Sequence, residues 1–174
     1  MFTGIVETAG EVVAVESDGG GRRLRIRATS LEDLHHGQSI SVSGVCLTVE
    51  SFESTSDSDA RWFEVFLAAE TVDKTYLGDL SVGDAVNIER AMAADGRFDG
   101  HVVQGHVDTV AEITAIEEVG DDWRFTFELP AGYGQYVVDK GSICLDGISL
   151  TVAALDTEAG TFDVAIIPTT YELT

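Results

Sequence analysis

Leu24, Ile26 and Ala28 alternate with Arg23, Arg25 and Arg27 along residues 22–28, the period-two pattern of a strand buried on one face. The alternation returns at 45–49, where Val45, Leu47 and Val49 share one face and Cys46 and Thr48 the other. It returns again at 148–152, where Ile148, Leu150 and Val152 oppose Ser149 and Thr151. Short runs rich in Val, Ile, Thr and Phe, broken by Gly, predict strands and tight corners instead of long helices. One short helix is expected over 30–37, SLEDLHHG. Ser30 caps it, Glu32 and Asp33 fill its first turn, His35 and His36 sit near its end as solvated dipole partners, and Gly37 stops it.

The pattern occurs twice in the same order. FTGIVETAGEV (2–12) matches VQGHVDTVAEI (103–113), SISVSGVCLTV (39–49) matches SICLDGISLTV (142–152), and FEVFLAAETVDKT (63–75) matches FDVAIIPTTYELT (162–174). The chain therefore reads as two copies of one unit, residues 1–97 and 98–174, joined through ADGRFDGH at 94–101. Five or six strands per copy with Gly-rich corners suggest small closed antiparallel barrels, hence an all-β protein. VGDAVNIE at 82–89 has the character of a barrel-closing strand. The second copy ends at Thr174 before any equivalent, so the second barrel is expected to lack its last strand here.

Charge narrows the function classes. There are 31 Asp and Glu against 10 Lys and Arg, a formal net charge of −21, and such a field repels nucleic acid and anionic membranes. The acids are spread over a chain that keeps its apolar periodicity, which fits a folded protein with a solvated acidic skin. Lys74 and Lys140 are the two lysines, and an acid-rich, lysine-poor surface suits a high-salt cytoplasm, so a halophilic source is expected. No basic start with an apolar h-region and no run of 18 apolar residues is present, so a cytoplasmic, non-membrane protein is expected. Cys46 and Cys144 are expected as free thiols.

Candidate chemistry concentrates on the polar faces of the repeated strand. Cys46 and Thr48 in one copy, and Ser149 and Thr151 in the other, are either solvent-facing or pocket-facing; cysteine makes a poor solvent-facing residue, and the placement recurs. His101 and His106 flank VVQG at the start of the second copy. With Cys46 and Cys144 they lack the close paired spacing of a zinc site, so no metal is expected. No phosphate loop or dinucleotide fingerprint appears.

MFTGIVE, GVCLTV, LGDLSVGDAVNIERA, GHVVQGHVD and KGSICLDGISLTV together resemble the riboflavin synthase alpha-chain family, from Met1 to Thr174. That resemblance implies two tandem pseudo-symmetric six-stranded Greek-key barrels, and homotrimers assembled by a C-terminal helix in the full-length protein. It also implies a cofactor-free dismutation, in which two molecules of 6,7-dimethyl-8-ribityllumazine exchange a four-carbon unit to give riboflavin and a ribitylamino-pyrimidinedione. Each barrel would bind one lumazine, with the site formed between the N-terminal barrel of one subunit and the C-terminal barrel of another.

Carried onto this sequence, the resemblance lines a first pocket with Gly4, Ile5 and Val6, with Cys46, Leu47 and Thr48, and with the stretch Phe66, Leu67, Ala68, Ala69, Glu70 and Thr71. A second pocket takes Gly105, His106 and Val107, Lys140, then Ser149, Leu150 and Thr151, and finally Ile166, Ile167, Pro168, Thr169 and Thr170. The first pocket's reactive groups would be Ser39, Cys46 and His101, and the second's Ser149 and Thr151. His101 would take a proton from the acidic C7 methyl of a lumazine, while Cys46 would add to the ring or shuttle a proton. A lumazine- or flavin-carrying antenna protein that binds without turnover is the alternative, and a fragment without function is a third reading.

Overall fold

The computed structural model describes residues 1–29, 31, 33–53 and 60–174. Strands β1 (Thr8–Asp18), β2 (Gly21–Thr29), β3 (Ser39–Val42), β4 (Val45–Glu53), β5 (Ala60–Leu67) and β6 (Ala85–Arg90) form a closed antiparallel barrel in the order β1-β2-β5-β4-β3-β6. β6 closes it because Ile88 lies opposite Thr8 on β1 and Val42 on β3, so neither barrel edge is left unpaired. The alternation seen in the sequence decides what lies inside. Leu24, Ile26, Ile40, Val42, Val49, Phe63, Val65 and Ile88 have no exposed surface, and each contributes on the order of 1.5–3 kcal/mol by leaving water. Arg23, Arg25 and Arg27 of β2 face outward, where Arg25 reaches Glu64 at 2.8 Å and lies 4.3 Å over the Trp62 ring.

The second copy repeats this order with five strands: β7 (Ile113–Val119), β8 (Asp122–Glu128), β9 (Ser142–Leu145), β10 (Ile148–Asp156) and β11 (Thr161–Ile166), arranged β7-β8-β11-β10-β9. No described strand plays the part of β6, so the sheet stays open between β7 and β9. Its core is correspondingly smaller, built on Phe127, Val152, Phe162, Val164 and Ile166, with the Phe127 and Phe162 rings stacked at 5.3 Å. All of β7 is exposed, Ile113 and Ile116 included.

The helix expected at 30–37 is not formed by the described residues of that stretch; Ser30 and Glu32 lie outside them. Leu31 and Leu34, whose spacing imitates a helix face, are buried in the core of the first barrel. Asp33 at φ +57° and Gly37 at φ +83° break the helical path, and His35 N donates to Gln38 Oε1 at 3.0 Å. Helix instead follows the fifth strand of each copy, as α1 (Ala69–Lys74) after β5 and α2 (Pro168–Leu173) after β11.

The copies meet through equivalent residues. Phe2 and Val103 form a reciprocal backbone bridge, with N–H to O distances of 2.8 and 3.0 Å. The β3–β4 and β9–β10 hairpins turn through Ser43-Gly44 and Asp146-Gly147, all four at positive φ, as a two-residue type I′ turn requires. These turns stand back to back: a Cβ on Gly44 would lie 2.9 Å from Gly147 N, and one on Gly147 2.8 Å from Gly44 N. Reciprocal contacts between equivalent residues are the mark of a local two-fold relation between the copies.

Candidate active site

The opening segment of each copy lies on the other copy's polar strand face. Ser149 N donates to Gly4 O at 2.7 Å, and Cys46 N donates to Gly105 O at 2.8 Å. Gly4 and Gly105 sit at φ +75° and +85°, and a Cβ on either would come within 2.8 Å of the facing backbone nitrogen, so both positions require glycine. This crosses the expected grouping. Gly4 goes with Ser149 and Gly105 with Cys46, while Val107 packs against the first barrel's core. Alignment of the repeat identifies equivalent residues; it does not tell which copy's surface a crossing segment covers.

His101 is tied to the second copy's strand. The family resemblance puts it beside Ser39 and Cys46, but its Nδ1 shares a 2.7 Å hydrogen bond with Ser149 Oγ, and its backbone N–H donates to Thr3 O at 3.0 Å. Burial holds the imidazole below its ordinary pKa of 6.5, so the ring stays neutral at neutral pH. Either neutral tautomer fits the bond, leaving Nε2 as donor or as free base.

Strand register pairs each candidate residue with a neighbour. Cys46 on β4 lies opposite Ser41 on β3, and Ser149 on β10 lies opposite Cys144 on β9. Each copy thus holds one serine and one cysteine across a strand pair, with their places exchanged. Two register positions along, on the same face, Ser39 faces Thr48 and Ser142 faces Thr151. Both cysteines are free and half-buried. Burial, with the carboxylates of Glu89 and Asp146 adding to it, pushes the Cys144 thiol up to about 11, so it stays protonated at neutral pH and is a poor nucleophile.

The remaining expected positions divide between core and surface. Leu47, Leu67 and Ile166 are buried in the two cores, and Leu150 packs against the second. Val6 is buried, whereas Ile5, Thr48, Ala68, Ala69, Glu70, His106, Thr151, Ile167 and Thr169 are exposed. Phe66, Thr71, Pro168 and Thr170 are half-buried. Thr71 O and Thr170 O perform the same task in α1 and α2, accepting the N–H of Thr75 and of Thr174 at 3.1 Å. Lys140 bonds Ala153 O on β10 through Nζ and lies 3.5 Å from Asp139.

Sequence reasoning passed over a polar layer between the copies. On β6, Val86 and Ile88 face the barrel core while Asn87 and Glu89 face away, yet each of the latter is only 5% exposed: Asn87 meets Asp146 of the other copy, and Glu89 lies under its own copy's opening segment at Thr3 and Gly4. Asn87 Nδ2 donates to Asp146 O at 3.0 Å and Oδ2 at 2.9 Å. The Tyr76 hydroxyl lies 2.7 Å from both Ser43 Oγ and Asp146 Oδ1. Cys144 was readable from the repeat, since the Ser41 and Cys46 changes occur together. Asn87 and Glu89 were not, because polar residues on the outer face of a barrel strand are what exposure to water would also produce. Among the described residues no cluster of three or more His, Cys, Asp or Glu is placed to hold a metal. No helix of the described chain is long and apolar enough to cross a membrane.

Comparison with known proteins gives a consistent picture. The family model for the lumazine binding domain matches twice, over residues 3–91 and 104–174. The chain is 47% identical to the riboflavin synthase of Mycobacterium tuberculosis (strain ATCC 25618 / H37Rv), across all of this chain and 85% of that protein. It is 43% identical to that of Bacillus subtilis (strain 168) and 42% to that of Actinobacillus pleuropneumoniae, in both cases over the whole chain and 78% of the relative. Among solved structures, LumP complexed with riboflavin has a TM-score of 0.81 at 22% identity, covering all of this chain and 90% of that one, a likeness of fold.

Proposed function

From the premise that the chain belongs to the lumazine-binding family, among its riboflavin synthases, we propose how its two copies share the reaction. The activity is that of a transferase of riboflavin biosynthesis. The substrate is 6,7-dimethyl-8-ribityllumazine, bound once by each copy. One molecule gives up a four-carbon unit and becomes the ribitylamino-pyrimidinedione, and the other accepts it and becomes riboflavin. Residues 1–97 and 98–174 are the two binding units. The protein is a cytoplasmic homotrimer, and the acidic surface belongs to a source living at high salt.

One observation carries the assignment of the site. Two equivalent walls face each other's opening segments, Gly4 on Ser149 and Gly105 on Cys46, and differ in their reactive group. A reaction between two copies of one compound needs two similar pockets, and needs them chemically unlike because one molecule donates what the other accepts. The C7 methyl of a lumazine is acidic because its anion delocalises into the pteridine. A neutral His101, joined to Ser149 at 2.7 Å, is suited to take or return that proton. Cys46 serves the other ring, as nucleophile or proton carrier. Holding two flat rings in reacting geometry supplies much of the acceleration, since effective molarities for well-oriented partners reach about 10⁵–10⁸ M.

The test is to supply the lumazine and follow riboflavin absorbance and fluorescence. Turnover is expected; tight fluorescent binding without turnover would instead support an antenna protein. Cys46→Ser is expected to lower the rate far more than the affinity, and a mutant as fast as the parent would remove Cys46 from the chemistry.

A further inference from the structure

We propose that Glu89 is a positioning residue for the His101–Ser149 pair, acting from the first barrel on the second copy through the Thr3–Gly4 backbone. The inference rests on the reading that this pair belongs to the reacting site. Glu89 comes from β6, on the side of the strand turned away from the barrel core, and is 5% exposed. Its Oε1 accepts from Thr3 N at 2.7 Å and Thr3 Oγ1 at 2.8 Å, and its Oε2 accepts from Gly4 N at 2.9 Å. The opposite edges of the same two residues hold the pair: Thr3 O accepts His101 N at 3.0 Å, and Gly4 O accepts Ser149 N at 2.7 Å.

A peptide unit is rigid, which turns these contacts into a linkage. The Thr3 carbonyl and the Gly4 N–H belong to one plane, so the Glu89 oxygen that fixes the N–H also fixes the carbonyl that holds His101. The Gly4 carbonyl belongs to the next plane and sets Ser149. Gly4 has no side chain to restrain it and sits at φ +75°, so its orientation depends on what grips its two ends.

The chemistry of the side chain matters as much as its place. Three donors approach two oxygens, and a carboxylate can accept all of them. A glutamine of the same shape has one acceptor oxygen, so it must aim its NH2 group at the N–H of Thr3 or of Gly4. Burying a carboxylate is costly unless donors compensate it, and here they all come from the segment that carries the pair.

The experiment uses the full chain supplied with 6,7-dimethyl-8-ribityllumazine. Glu89→Gln is expected to lower kcat about 10- to 100-fold with KM changed less than about threefold, a loss of orientation more than of binding. In a Ser149→Ala background the same change should cost less than about twofold, since residues acting as a unit are not additive. Parental kcat in Glu89→Gln, or an equal loss in both backgrounds, overturns the proposal. If Glu89→Gln does not fold, Thr3→Val removes one of the three donors at constant shape. A loss of about threefold that vanishes in the Ser149→Ala background is then expected, and an additive loss overturns it.

A readout independent of turnover separates this inference from the reading beneath it. The His101 ring nitrogens, followed by NMR and assigned with a His101→Asn variant, should shift between the parent and Glu89→Gln, or Thr3→Val in its stead. A parent that does not turn over, or a Ser149→Ala variant at the parental rate, sinks the assignment of the site. An unchanged His101 ring spectrum sinks the role of Glu89 whatever the rate.

Discussion

His101 has its lowered basicity from burial alone, and the sign of its effect follows. Between its folded value and 6.5, the unfolded chain holds a proton that the folded chain does not, so this group's contribution to stability rises with pH across that window. The contribution is complete above 6.5 and lost as pH falls through the folded value. The acid limb of kcat/KM, which reports the free enzyme, should accordingly lie below 6.5, and a limb at or above it would contradict the assigned role. Gly105 makes a second prediction. Its φ is +85°, and a methyl placed on it would stand 2.8 Å from Cys46 N, so Gly105→Ala should destabilise the fold by about 1–3 kcal/mol and displace Cys46. Urea unfolding gives the first effect, and the riboflavin assay gives the second.

At the scale of elements, strand identity was legible because alternation reports burial directly: 22–28, 45–49 and 148–152 all lie in strands. The stretch around Leu31 and Leu34 misled because two leucines three apart satisfy a helix face and a loop plugging a barrel equally well. Pocket membership was harder. Which side of a strand faces out is written in the sequence, but what covers that side is decided by the other copy. The Tyr76, Ser43, Asn87 and Asp146 cluster shows the point, since these residues come from a 3-10 turn, two hairpins and the closing strand. Tyr76→Phe removes a hydroxyl placed between two acceptors and should cost about 1–2 kcal/mol by urea unfolding, with secondary structure unchanged by circular dichroism. A cost near zero would mean that water replaces the hydroxyl without loss.

For the whole molecule, a net charge of −21 spread over both copies opposes the compact state. Described arginines answer part of it locally, as Arg90 does with Glu7 at 2.7 Å and Arg27 with Glu11 at 2.5 Å, but such exposed pairs are each worth about 0–1 kcal/mol. Raising salt from about 0.1 to 1 M shortens the screening length from about 10 to 3 Å, so the thermal midpoint should rise with sodium chloride. A midpoint that falls would show that the ion pairs outweigh the repulsion.

The crossing of the opening segments also sets an order of events during synthesis. The first barrel has all its strands once residue 90 has left the ribosome, and its local pairings need nothing later. Thr3 and Gly4, which precede every strand of the first barrel, must wait for His101 and Ser149 before their carbonyls are occupied. Contacts so distant in sequence form slowly and late, because a long loop must close before they reward it. The nascent chain therefore carries a finished barrel with an idle segment ahead of β1, and that segment is seated only when residues 101–149 return to meet it.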